Sequence, residues 1–291
     1  EGLVKQQIPD ADDKHILLEP QRRNTAPCIA YVAWKIKKCD PDANLVISPA
    51  DHIVTEVVEF GRVIRKGLEF VEEKDHILTL GMLPTRPETG YGYIKVKDEK
   101  SDTEESCGEI VEVEGFKEKP DLKTAERYLK EGGYYWNAGI FVWNVKTIEQ
   151  AFRKNQPEIA GLFDSLEEVF YTAGEQAAID QKFPECQNIS IDYAVMEKAK
   201  NIYVFPASFG WSDLGTWGSL YEQLPKDETR NAIVGTNVRM VESEGCVVHV
   251  PEDKKMVVQG LEDFIIAEEN GVLLICRKAD EQRIKEFSAK L

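Results

Sequence analysis

The stretch Leu45-Val46-Ile47-Ser48-Pro49-Ala50-Asp51-His52 sets an apolar run directly against a polar loop. The run has the length of a short buried strand, and Ser48-Pro49 ends it. In a parallel sheet, a loop at the carboxyl end of a strand lines the crevice where ligands bind, which directs attention to Asp51. A carboxylate there suits Mg²⁺, a hard ion that takes oxygen ligands and shares them with substrate phosphates. The same acid could equally cap the helix that the pattern starts near Glu56. His52 reads as a structural hydrogen-bonding residue rather than a catalyst.

Upstream of this stretch, Thr25 to Cys39 has helical periodicity and His15 to Leu18 is a strand-like run. Downstream, Glu56 to Lys74 is amphipathic and His76 to Met82 is strand-like again. The alternation predicts an α/β fold with a mostly parallel, Rossmann-like sheet and helices on both faces. From Tyr91 to Phe116 the chain turns β-rich, and a polar insert from Asp98 to Ser106 reads as a hairpin loop. Helices are predicted over Asp121 to Glu131, Val145 to Asn155, and Glu158 to about Gln181. After Leu224-Pro225, short strand-like runs from Ile233 to Cys276 alternate with turn residues, and a final helix is expected over Ala279 to Leu291. The expected organisation is an α/β domain over residues 1–226 and a small β-rich domain over 227–291 that ends in a helix.

With 36 Lys and Arg against 52 Asp and Glu, the net charge is −16. A molecule so negative repels nucleic acid and anionic membrane surfaces, so neither is an expected partner. An anionic small ligand requires local cations or a bound divalent ion. The six cysteines show no C-x-x-C pair and read as buried reduced thiols, consistent with a cytoplasmic protein. No apolar stretch is long enough to span a bilayer. The segment Glu1 to Gln7 reads like a helix already under way rather than a signal peptide.

Four further segments carry chemistry. In Gly210-Trp211-Ser212-Asp213-Leu214-Gly215-Thr216-Trp217 a lone acid sits among tryptophans and glycines. Asp213 could supply a second metal-binding carboxylate or cap the helix that follows. Pro87-Glu88-Thr89-Gly90-Tyr91-Gly92-Tyr93 offers backbone amides and a ring to sugar hydroxyls, although a tight turn would use the same letters. In Phe116-Lys117-Glu118-Lys119-Pro120, Glu118 can accept from hydroxyls and Lys119 can meet a phosphate, unless the segment is a solvated turn. Trp136-Asn137-Ala138-Gly139-Ile140-Phe141 reads as a loop that places an amide beside small residues.

Taken with Glu19-Pro20-Gln21-Arg22-Arg23-Asn24-Thr25-Ala26-Pro27 and Ser190-Ile191-Asp192-Tyr193-Ala194-Val195-Met196-Glu197, these segments resemble the nucleoside-diphosphate-sugar pyrophosphorylases, in their mannose-1-phosphate guanylyltransferase branch. The resemblance runs from Leu17 to the C-terminus. It implies a nucleotidyltransferase fold and a transfer from GTP to mannose 1-phosphate, giving GDP-mannose and diphosphate. By the same resemblance Asp51 and Asp213 hold Mg²⁺, Lys119 steadies the sugar phosphate, and Gly92, Glu118 and Asn137 hold mannose. Arg23, Asn24 and Thr25 line the guanine pocket, and Asp192 either faces the sugar or starts a helix. Family members open on a glycine-rich phosphate loop that this sequence lacks, so an N-terminal truncation with reduced turnover is expected. Two other readings stay open: another sugar-1-phosphate nucleotidyltransferase, or a non-catalytic regulator that binds sugar nucleotides. The β-rich end has no catalytic signature and leaves room for a homodimer.

Overall fold

The computed structural model describes residues 2–72, 74–97 and 109–288. The expected hairpin loop from Asp98 to Ser106, Cys107, and residues Ala289 to Leu291 of the expected terminal helix lie outside the described residues.

In chain order the elements are α1 (Gly2–Gln7), α2 (Thr25–Cys39), β1 (Asn44–Ile47), β2 (Ile53–Val54), α3 (Val57–Val71), β3 (Ile77–Met82), β4 (Tyr93–Val96), β5 (Val111–Lys117), α4 (Leu122–Glu131), β6 (Tyr134–Asn144), α5 (Val145–Asn155), α6 (Pro157–Asp164) and α7 (Glu175–Lys182). They continue with β7 (Ile202–Pro206), β8 (Trp211–Ser212), α8 (Trp217–Gln223), β9 (Ala232–Val234), β10 (Val238–Val241), β11 (Val247–His249), β12 (Met256–Gln259), β13 (Phe264–Glu269), β14 (Val272–Arg277) and α9 (Ile284–Ser288). The chain forms two compact units, one of residues 1–50 and 55–209, the other of residues 51–54 and 210–291. The composition change expected near Asp227 therefore falls inside the second unit.

The first unit is a mixed α/β layer structure around a six-stranded sheet in the order β1-β6-β3-β7-β5-β4. The pair β3–β7 is parallel, whereas β6 runs antiparallel to β1, β3 and β4, and β5 is antiparallel to β4 and β7. The mostly parallel, Rossmann-like sheet expected from the alternation is corrected accordingly. The cause is β6, an 11-residue strand through the middle of the sheet. Its segment Trp136 to Phe141 looks like a loop because Asn137 and Gly139 interrupt the apolar pattern, and Gly139 has φ 69°. A register irregularity between Thr79 and Gly81 on the partner strand accommodates it.

Helices cover both faces of the sheet, as alternation along the strands dictates. Phe141 and Trp143 join Trp34, Phe152 and Phe163 in a core with α2, α5 and α6. Val142 and Leu78 point the other way, against Gly67 of α3, where an added Cβ would stand 3.0 Å from Leu78. Helix α2 starts because the Asn24 side chain accepts from the Thr25 N–H, and it buries Ala26, Ile29, Ala30, Ala33 and Trp34 at helical spacing. Each large side chain so buried contributes about 2 kcal/mol.

Two expected elements differ. His15 to Leu18 is no strand: Asp13–His15 forms a 3₁₀ turn, and Leu17 packs on the core without ladder bonds. The helix expected over Glu158 to Gln181 is broken into α6, a 3₁₀ turn at Glu167–Val169, and α7, with Phe170 extended and Tyr171 at φ 65° between the last two. At that break Glu175, 8% exposed, accepts from Tyr31 Oη at 2.7 Å, from Lys35 Nζ at 2.5 Å and from the Tyr171 N–H at 2.7 Å.

In the second unit β9, β11 and β13 stack in parallel, β14 closes that sheet antiparallel, and β10 pairs with β12 in parallel. Successive chain turns thus feed two small sheets, with Cys246, Val248, Val250, Val258 and Ile266 between them. Val247 and Ile265, one residue out of phase, face Trp217 and Tyr221 of α8 and Ile284 of α9. The helical end runs from a 3₁₀ segment at Lys278–Arg283 into α9.

Among the described cysteines Cys28, Cys39, Cys186, Cys246 and Cys276 are all free, and Cys28 and Cys39 are exposed rather than buried. No described helix is long and apolar enough to cross a membrane.

Candidate functional site

Five of the expected residues meet in the first unit. Glu118 and Lys119 follow β5 directly, and the Lys119 backbone takes φ 45°, which turns the chain back so that its Nζ lies 3.0 Å from Glu118 Oε1. Glu118 is 7% exposed. Gly92, just before β4, lies so close that a Cβ there would be 2.6 Å from Glu118 Oε2. Its carbonyl accepts from the Asn137 N–H at 2.8 Å. The Asn137 Nδ2 group then donates to Asp192 Oδ1 at 3.2 Å.

The charges in this cluster are coupled. Burial pushes the Glu118 carboxyl above the usual carboxylate range, and the negative Asp192 adds to that push against Lys119. Asp192 is also raised by burial, with hydrogen bonds from its own N–H and Ser190 opposing. At Lys119 burial acts downward, but the hydrogen bond and charge of Glu118 outweigh it and hold the ammonium above its ordinary value. Hydroxyl-binding carboxyls beside a lasting cation suit a polyol that carries one anionic group.

Asp192 opens a π turn, Asp192–Met196, so it is both a helix-start residue and a partner of Asn137. The segment leading into that turn ties in the loop at the start of α2. Ile191 N–H donates to Thr25 Oγ1 at 2.8 Å, Ile189 N–H donates to the Arg23 carbonyl at 3.3 Å, and the Arg23 guanidinium donates to the Pro184 carbonyl at 2.5 Å. Asn24 at φ 65° makes the turn between them. A cavity of about 1210 Å³ lies along α2, lined by His15, Leu17, Glu19, Cys28, Tyr31 and Glu175 among others. It borders this loop at Glu19 and Cys28 and does not include the Glu118 cluster.

Asp51 and Asp213 belong to the second unit. The antiparallel pair β2–β8 sets Ile53 opposite Ser212, so the two acids sit at adjoining strand ends. Neither caps the helix that the sequence offered it. The N-cap of α3 is Glu56 without a side-chain bond, and that of α8 is Thr216, which accepts from the Ser219 N–H. Asp213 instead accepts from the Gly215 N–H at 2.9 Å, and the Asp51 side chain is 89% exposed. His52 Nδ1 accepts from Trp211 Nε1 at 3.1 Å, which leaves the ring's proton on Nε2, 3.8 Å from Asp51 Oδ1. Among the described residues no group of three or more His, Cys, Asp or Glu is gathered to hold a metal. Two carboxylates are what an ion that keeps waters and binds phosphates requires of the protein.

Sequence reasoning missed Thr79, whose Oγ1 donates to Asn137 Oδ1 at 2.8 Å, and Glu197, whose Oε1 accepts from the Glu118 N–H at 3.2 Å. A threonine inside an apolar strand was the available signal for the first. It also missed Glu88, 1% exposed, which accepts from the Gly90 N–H at 3.0 Å and fixes the turn before Gly92.

A family model described as Nucleotidyl transferase matches residues 2–230. The chain belongs to that family. It is 36% identical over 278 residues to mannose-1-phosphate guanylyltransferase of Escherichia coli and 35% identical over 278 residues to that of Salmonella montevideo, with 94% and 95% of this chain covered. It spans 59% and 58% of the lengths of those relatives. The crystal structure of mannose-1-phosphate geranyltransferase from Thermus thermophilus is similar over 99% of this chain and 80% of that one, with a TM-score of 0.80 at 28% identity.

Proposed function

We propose that the chain is a mannose-1-phosphate guanylyltransferase, which joins α-D-mannose 1-phosphate to GTP and releases GDP-mannose and diphosphate. The observation that carries this reading is the cluster of Gly92, Glu118, Lys119, Asn137 and Asp192, supported by the names of the two bacterial relatives. Glu118, Asn137 and Asp192 bind sugar hydroxyls, Gly92 lets the ring approach the backbone, and Lys119 neutralises the sugar phosphate. Arg23, Asn24 and Thr25 line the guanine pocket on a loop anchored to residues 184–191.

The sugar phosphate oxygen attacks the α-phosphorus of GTP in line, and the bond to the departing diphosphate breaks as the new P–O bond forms. No covalent enzyme intermediate is needed, so the residues contribute positioning and charge neutralisation. Asp51 and Asp213 would hold Mg²⁺, which would supply neutralisation of phosphate charge.

The test is diphosphate release by the full chain from GTP, UTP, dTTP and ATP, each with mannose 1-phosphate and with glucose 1-phosphate. GTP with mannose 1-phosphate is expected to react fastest. A faster reaction with another pair overturns the assignment of base or hexose. Calorimetric binding of the pair with no release from any mixture overturns catalysis and favours a regulatory relative.

A further inference from the structure

We propose that Glu197 is a positioning residue of the sugar-phosphate site, delivered there by the π turn that Asp192 opens; the inference rests on the proposed transferase function. Asp192 and Glu197 are five positions apart. In an α-helix, five steps of about 100° would set their side chains roughly 140° apart around the axis. Here the Glu197 N–H donates to the Asp192 carbonyl at 2.9 Å, the i to i+5 bond of a π turn. With roughly 4.4 residues per turn, that winding leaves the two side chains only about 50° apart, on one face.

The consequence is visible on both side chains. Asp192 takes the Asn137 amide on β6, while Glu197 takes the Glu118 N–H just after β5. Lys117 Nζ also lies 4.0 Å from the same Glu197 oxygen. One turn of chain therefore holds the two strands that carry the sugar-facing groups. The Glu118 N–H is the first amide of the turn that Lys119 completes at φ 45°, a conformation costing about 1 kcal/mol that surrounding contacts must hold. Glu197 supplies such a contact. Its charge also bears on both buried acids, raising Glu118 and Asp192. Glu197 meets the Glu118 N–H and Lys117 Nζ, so its effect passes through Glu118 and Lys119.

Three substitutions separate these roles. Glu197→Ala removes acceptor and charge, and is expected to raise KM for mannose 1-phosphate about tenfold while kcat and the KM for GTP change less than about twofold. Glu197→Gln keeps an acceptor for the Glu118 N–H without the charge. It should restore KM at neutral pH and move the acid limb of the kcat/KM profile to lower pH, since a negative neighbour of both acids is gone. Glu197→Asp keeps the charge but withdraws the acceptor, and should raise KM as Ala does even if the Ala variant does not fold. An unchanged KM in both Ala and Asp variants, or a Gln variant as impaired as Ala with no shift of the acid limb, overturns the proposal. A wild-type chain with no affinity for any sugar phosphate overturns the transferase reading and this inference with it.

Discussion

Thr79 Oγ1 donates to Asn137 Oδ1 at 2.8 Å, and the Gly139 N–H reaches the same oxygen at 3.2 Å. With both donors on Oδ1, the amide can offer only its NH₂ group to Asp192 and to a ligand. Thr79→Val keeps the shape and removes one of the donors that fix this orientation. It is expected to raise KM for mannose 1-phosphate several-fold and to lower stability by about 1 kcal/mol. Steady-state kinetics beside thermal unfolding check it, and unaltered KM would show that Gly139 suffices.

Gly92 is required for space rather than for an unusual backbone angle. An added Cβ would stand 2.6 Å from Glu118 Oε2 and 3.2 Å from Phe116 Cζ. Gly92→Ala therefore forces the Glu118 carboxylate away from its place beside Lys119. We expect at least a tenfold loss in kcat/KM with the fold retained, because the clash falls on a side-chain end. A variant with normal kcat/KM would show that Glu118 is free to relocate.

Asp51 is exposed, and Asp213 accepts from the Gly215 N–H two residues on. If they bind the ion, their substitution should spare folding and weaken the metal dependence. Asp51→Asn and Asp213→Asn are each expected to cut kcat at least a hundredfold and to raise the Mg²⁺ concentration needed for half-maximal rate, with the melting temperature within about a degree of wild type. A normal Mg²⁺ titration for either variant would remove that residue from the metal site.

Glu175 supports the fold and predicts a pH dependence. Burial pushes its carboxyl upward, but hydrogen bonds from Lys35, the Tyr171 N–H and Tyr31 outweigh burial and hold it below the usual carboxylate range. Its folded value lies below its unfolded one, so the ion contributes stability above the unfolded range, and that contribution is lost as pH falls through the folded value. Glu175→Gln leaves Lys35, 11% exposed, without its counter-ion. The expected cost is about 3 kcal/mol near neutral pH and less in acid, read by denaturant unfolding at several pH values. A pH-independent difference would mean that the cost comes from lost packing.

The motif letters singled out Gly92, Glu118, Lys119, Asn137 and Asp192, which are scattered along the chain and meet in the structure. Glu197 was not legible because its role depends on a π winding, and the extra residue per turn leaves no mark in an apolar-polar pattern. Nor was β6, where Asn137 and Gly139 break the alternation that marks a strand. The His15 to Leu18 run fails in the opposite direction: its apolar pattern serves a 3₁₀ turn and the core contact of Leu17 rather than a ladder.

By itself the sequence determined the helices with strong one-sided periodicity, the strand Asn44–Ile47, though at the sheet edge with Val46 exposed rather than buried, the buried strand Ile77–Met82, the change to short β runs in the C-terminal part, and the identity of the chemical groups. These follow from local patterning, since each segment must bury its own apolar face. The tertiary structure decided strand direction, the division of the chain at Phe209, and which carboxylates stand within hydrogen-bonding reach of one another. Those depend on pairings between residues far apart in the chain, and backbone hydrogen bonding is indifferent to the side-chain letters from which a sequence is read.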